Sequence, residues 1–223
     1  MGLFTKLKNL FTTTQKIKIL ILGLDNSGKS SIINYLKPDK LKELHIAPTL
    51  GHASETFNIL GMKTLLLDMS GQGRYRYLWE MQVERFSEGQ INGLIFVIDS
   101  VDRLRMAVAR EELVSVVDHL RSKKLQHYSS VTEAKPITTT QISAVKKKLP
   151  IVILANKSDC TDSLSTIECH DIMQLEKLLG GQSSTAHGNF SLFEWKIFST
   201  SAVTGQGIDD GIGWLGEKIQ SNL

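Results

Sequence analysis

Cysteine is nearly missing from this 223-residue chain: there are two, Cys160 and Cys169, close together among polar residues. So sparse a supply argues against a disulfide framework and for a reducing compartment. Long apolar runs are missing too. None approaches the roughly 20 residues needed to cross a bilayer, and the N-terminus lacks the apolar core of a secretion signal. A cytoplasmic protein is expected. Charge of one sign is also lacking. A formal net charge of +3 is too small to argue for nucleic acid, and none is expected as a partner. No internal repeat is visible, and 223 residues suit one domain with a sizeable core.

What is present is organised. Residues 2–11, GLFTKLKNLF, place Leu3, Phe4, Leu7, Leu10 and Phe11 on one helical face, with Lys6 and Lys8 off it. An N-terminal amphipathic helix over 1–15 is expected, preceding a domain over 16–223. Apolar runs at 16–22, 93–98 and 150–155 read as buried strands, 54–60 and 63–69 as a hairpin around Gly61, and 195–198 as a short strand. Helices are expected at 29–36, 102–120, 172–179 and 208–220. This alternation implies an α/β fold: a mostly parallel six-stranded sheet with one antiparallel edge strand and helices on both faces. Residues 121–148, rich in Ser and Thr and almost without aromatics, read as a mobile insertion, and 180–190 as a shorter loop.

The polar motifs all follow apolar runs, where ligands bind in such sheets. GLDNSGKS, residues 23–30, stands between a strand and a helix, the setting a phosphate-binding loop requires. Gly23 and Gly28 let the backbone of Leu24, Asp25, Asn26 and Ser27 curl with its N–H groups inward, and Ser31 opens the helix behind it. Lys29 would reach the β and γ phosphates, and the Ser30 hydroxyl would ligate Mg²⁺. Asp68 ends a strand where a second Mg²⁺ contact through water is needed, and Thr49 could add a hydroxyl opposite Ser30. Gly71 leaves room for its N–H to approach a γ-phosphate, and the Gln72 amide could orient an attacking water. Asn156-Lys157-Ser158-Asp159 selects the base. The Asp159 carboxylate can take two parallel hydrogen bonds from guanine, a pair that adenine does not offer. Asn156 would steady the loop, the Lys157 stem would cover the base, and Ser201-Ala202 would set a backbone N–H near guanine O6.

These residues resemble the small GTPases, and within them the Arf and Arf-like family. The resemblance is carried by GLDNSGK, Pro48-Thr49-Leu50-Gly51, Thr204-Gly205-Gln206-Gly207-Ile208 and Trp214-Leu215. The strings at 68–80 and 96–106 are most similar to a branch that recruits the BBSome coat to ciliary membranes. The resemblance implies a GTP/GDP switch with Mg²⁺, slow intrinsic hydrolysis, an exchange factor and an activating protein. It also implies a monomer whose N-terminal helix is released to a membrane in the GTP state, at the cilium or its base. The same apolar face could instead pack permanently on the core. Gly2 invites myristoylation, but Lys6 stands where the pattern asks for Ser or Thr. Tyr75, Tyr77, Leu78 and Trp79 offer aromatic and apolar anchors to an effector.

The chain departs from the family pattern in several places. About five additional residues lie between Trp79 and Gly93, near 81–85, and 121–148 is long. His52 replaces an aromatic, and Ser201-Ala202-Val203 replaces a Cys-Ala-Thr-like string. Two other readings compete. A nucleotide kinase would leave Asn156–Asp159 unexplained. A GTP-dependent scaffold would bind through 121–148 without hydrolysis. Another Arf-like protein serving a different membrane or cargo is a third.

Overall fold

A computed structural model describes residues 17–85, 91–131, 147–180 and 192–223, without the side chains of 84, 85 and 124–131. Six strands form one sheet in the order β2-β3-β1-β4-β5-β6. They are β1 (Ile17–Leu22), β2 (His52–Ile59), β3 (Met62–Met69), β4 (Gly93–Asp99), β5 (Leu149–Asn156) and β6 (Phe193–Ser199). All neighbours run parallel except the edge strand β2, which pairs antiparallel with β3 from His52↔Met69 to Ile59↔Met62. The helices are α1 (Lys29–Leu36), α2 (Tyr77–Arg85), α3 (Met106–Val131), α4 (Thr166–Met173), α5 (Leu175–Leu179) and α6 (Ile208–Ser221).

The central strands are apolar at nearly every position because both sheet faces are covered. Period-two alternation divides β1: Leu20 and Leu22 join Phe96, Trp79 and the α3 residues Leu113 and Val117 on one face. Ile17, Ile19 and Ile21 join Ile32, Ile33 and the α6 residues Ile212, Leu215 and Ile219 on the other. This two-sided layering fixes the carboxyl ends of β1, β3, β4 and β5 side by side.

Two expectations need correction. The helix after β4 does not stop near residue 120. It runs to Val131, so the first part of 121–148 is helical rather than loop, and residues 132–146 lie outside the described residues. The helical stretch expected at 172–179 is two helices, 166–173 and 175–179. They are separated by Gln174 at φ 52, a left-handed residue that ends the first and starts the second. The first begins on a reciprocal Ser165–Glu168 capping box, so the helix starts six residues upstream of the expected 172. Leu3, Phe4, Leu7, Leu10 and Phe11, and the loop expected at 180–190 apart from Gly180, fall outside the described residues. Among the described residues, no helix is long and apolar enough to cross a membrane.

Candidate nucleotide site

The loop from Gly23 to Gly28 turns the chain from β1 into α1. Gly28, at φ 93, sits so close to Asn156 that an added Cβ would lie 2.1 Å from its Nδ2. Beside the loop, Asp25, Asn26, Gly28, Lys29, Ser30, Ser31, Thr49, Gly71 and Gln72 line one cavity of about 310 Å³. The first amides of α1 open here without carbonyl partners inside the helix. Ser27 turns inward, its Oγ donating to the Leu24 carbonyl at 2.8 Å. Lys29 is buried and donates to the carbonyls of Gly23 (2.9 Å) and Leu24 (2.8 Å). Burial pulls its ammonium down to about 8, against the opposing pull of Asp68 and Asp25.

Three oxygens converge at the mouth of this cavity. Ser30 Oγ and Thr49 Oγ1 donate to Asp68 Oδ2 at 2.9 and 3.0 Å, and the two hydroxyls are 3.1 Å apart. Two hydroxyl protons cannot satisfy three such contacts, so lone pairs face one another. Asp68 Oδ1 is buried with no hydrogen-bond partner. Burial pushes the Asp68 carboxyl above its ordinary range, opposed by Ser30, Lys29 and Thr49. An uncompensated, all-oxygen cluster of this kind fits a hard divalent cation. The two hydroxyl oxygens, 3.1 Å apart, would hold such an ion directly, with the Asp68 carboxylate behind them joining through water.

Gly71 packs directly onto the phosphate loop. A Cβ there would meet Asp25 N at 2.2 Å and the Leu24 carbonyl carbon at 2.2 Å. Gln72 lines the cavity, but its side-chain oxygen accepts from Arg74 Nε (3.1 Å) and Nη2 (3.0 Å). In this arrangement the amide is turned to Arg74, and a role on water requires it to leave that partner.

Asn156 does more than face a base. It is buried at the end of β5, its Nδ2 donating to Ser27 O (2.8 Å) and its Oδ1 accepting from Ala202 N (3.0 Å). One side chain thus ties the phosphate loop to the Ser201-Ala202 turn. Ser201 is buried, and its hydroxyl accepts from the amides of Val203 and Thr204. Lys157, at φ 70, pairs with Asp99 at 2.7 Å, which lays its stem across this end of the sheet. Asp159 is exposed beside it.

Trp79 is a correction. It is 1% exposed, edge-on to Phe96, and donates from Nε1 to Ser70 O at 2.9 Å. It anchors the core and is not an effector surface. Tyr77 is 60% exposed, while Tyr75 and Leu78 are half-buried. Two residues beside the phosphate loop were missed by sequence reasoning. Arg105 donates to Asp25 Oδ1 at 3.1 Å, and Arg76 lies 3.6 Å from the same oxygen. Neither has a local signal beyond the Asp102/Arg105 spacing, at which the arginine donates back to Asp102 at 2.5 Å.

The model of the ADP-ribosylation factor family matches residues 3–219. The chain belongs to the ADP-ribosylation factor family. Its members include small GTPases, so guanine-nucleotide binding follows for this chain at that level. ADP-ribosylation factor-like protein 6 of Danio rerio is 36% identical over 222 residues, covering 99% of this chain and 98% of that protein. The Caenorhabditis elegans protein of the same name is 33% identical over 220 residues, covering 98% and 95%. Among solved structures, the Arl6 BBS3 small GTPase of Trypanosoma brucei with bound GppNp aligns with TM-score 0.70 at 28% identity. That alignment covers 93% of this chain and 99% of the other. The Arf-like branch to which 68–80 and 96–106 pointed is thus the branch of these relatives.

Proposed function

We propose that this Arf-family chain is a Mg²⁺-dependent GTP switch that, when GTP-loaded, attaches to membrane and recruits a coat, the BBSome, in ciliary trafficking. The observation that carries the switch is the convergence of Ser30, Thr49 and Asp68. Asp68 Oδ2 takes both hydroxyl protons, leaving the lone pairs of Ser30 and Thr49 for a cation and Oδ1 for a water on it. When bound, Mg²⁺ supplies counter-charge to the β and γ phosphate oxygens.

The chain's own residues then act in defined ways. Lys29 exchanges its two loop carbonyls for phosphate oxygens, and the amides of 24–31 cradle them. Asn156 holds the loop against the Ala202 turn while Asp159 reads the guanine edge. Thr49 and Gly71 report the γ-phosphate to the loops that carry them, which β2 and β3 join. Gln72, freed from Arg74, orients the attacking water. The hairpin tip, Ile59 and Leu60, rests on Gly216 of α6, where an added Cβ would come within 2.9 Å of both. A shift of this ribbon along β1 on nucleotide exchange would trade places with the Leu3–Phe11 stripe and release that stripe to lipid. Nearby lysines add about 1 kcal/mol each at an anionic surface. The branch resemblance supports the BBSome as partner and the ciliary base as address. Tyr77 is the best exposed anchor for an effector.

Gln72→Leu is expected to bind GTP normally and to lose activator-stimulated hydrolysis. Affinity capture on this GTP-locked variant should recover BBSome subunits, and the GDP-loaded protein should not. Equal recovery in both states, or none in either, would refute the coat assignment. Unchanged stimulated hydrolysis would refute the role of Gln72.

A further inference from the structure

Arg76 makes three contacts at once. Its Nε donates to the Gly71 carbonyl at 2.8 Å, its Nη1 to Glu112 Oε1 on α3 at 2.9 Å, and its Nη2 lies 3.6 Å from Asp25 Oδ1. The side chain is only 16% exposed. The two ends of this fork belong to the site: Asp25 is in the phosphate loop, and Gly71 carries the peptide that leads into Gln72. The third is a support on a core helix, itself fixed by Leu113 and Val117 in the apolar layer. From the other side Arg105 donates to Asp25 Oδ1 (3.1 Å) and approaches its carbonyl (3.4 Å), and Asp102 holds Arg105. Asp25 is therefore flanked by two guanidinium groups, one hydrogen-bonded to it and one at ion-pair distance.

The carbonyl of Gly71 and the N–H of Gln72 belong to one planar peptide. Holding the carbonyl holds that plane and fixes the Gln72 Cα beside the cavity, the point from which the side chain swings off Arg74 to reach the water. We infer that Arg76 is a positioning residue for GTP hydrolysis: by clamping the Gly71–Gln72 peptide to Asp25 and Glu112, it aims Gln72 at the water. The geometry asks for a planar fork with donors in several directions, which a lysine ammonium on a flexible stem does not reproduce. The clamp acts through Gln72 and not on the phosphates, and so rests on the proposed role of Gln72.

The test is single-turnover hydrolysis of GTP with Mg²⁺ by the full chain, alongside dissociation rates of GTP and GDP. Arg76→Ala is expected to slow hydrolysis roughly 10–100-fold, the cost of misplacing a reacting group by about 1 Å, with little change in nucleotide dissociation. Arg76→Lys should not rescue it. Glu112→Gln, which keeps the arginine but weakens its support, should slow hydrolysis by a smaller factor and decides the matter if Arg76→Ala does not fold. In a Gln72→Leu background, Arg76→Ala should slow hydrolysis no further, although any loss of thermal stability should still add. Full hydrolysis in both Arg76→Ala and Glu112→Gln, or an Arg76 effect that multiplies undiminished with Gln72→Leu, would overturn the inference. If Gln72→Leu alone left hydrolysis intact, the Gln72 reading would fail first, and the two failures are thereby told apart.

Discussion

Replacing Asn156 by alanine would break two connections at once, one buried and one part-buried. The Ser27 carbonyl would lose a 2.8 Å bond and the Ala202 amide a 3.0 Å bond, at a side chain 1% exposed. A buried polar group left without a partner costs about 1–3 kcal/mol. The Ala202 amide is partly accessible and belongs at the low end, so the sum is about 2–4 kcal/mol. For a chain of this size each kcal/mol moves the midpoint by about 2–4 °C, which predicts a fall in Tm of roughly 5–15 °C. Bound nucleotide also raises Tm by mass action, about 2.7 kcal/mol at a hundredfold excess over Kd. Calorimetry is therefore run over a nucleotide series and compared at the intercept. Asp159→Asn is the control: the residue is exposed, so its intercept should match the parent while guanine affinity falls about 10²-fold or more. An unchanged Asn156→Ala intercept, or an Asp159→Asn intercept lowered as far, would refute the division between a loop brace and a base reader.

Three other outcomes follow from the geometry. Burial holds Lys29 near 8 in the folded chain, below its unfolded 10.5; the unfolded state then carries the extra proton between about pH 8 and 10.5, so stability of the nucleotide-free protein should rise with pH across that window. Phosphate restores the charge, and titration calorimetry at pH 8 in buffers of different ionisation heat should show proton uptake on nucleotide binding; none would count against the buried ammonium. Gly71→Ala should prevent the loop that carries Gly71 and Gln72 from seating on the phosphate loop, because its Cβ would meet backbone atoms of Leu24 and Asp25 at 2.2 Å; unaltered hydrolysis would contradict that packing. Iodoacetamide should label the native protein at exposed Cys160 and spare buried Cys169, whose thiol burial pushes up to about 11; peptide mapping that finds equal labelling would refute it.

The sheet was readable because its central strands are buried on both faces and so spell continuous apolar runs, as at 93–98 and 151–155. The phosphate loop was readable because its glycines, lysine and serine are consecutive. The braces were not. Asn156 reaches Ser27 across 129 residues, and Arg105 reaches Asp25 across 80, so no local pattern marks either. Trp79 was legible in principle: with Val83 one turn on it forms the inward stripe of α2, while Tyr77 and Met81 form the outward one. Its aromatic neighbours drew it into the surface reading instead. Helix α3 outran its expected end because residues 121–127, RSKKLQH, include the good helix formers Arg, Lys, Leu and Gln, and the serines among 121–131 tolerate helix at small cost.

Competition for a fluorescent GDP analogue tests the central claim most directly, with GTP and ATP as competitors in the presence and absence of Mg²⁺. GTP should displace the analogue with a preference over ATP of about 10⁴-fold, because a site built to satisfy the guanine edge rejects a base that cannot pair with it, and removal of the cation by EDTA should speed nucleotide release. Equal displacement by ATP, or release indifferent to EDTA, would contradict that claim.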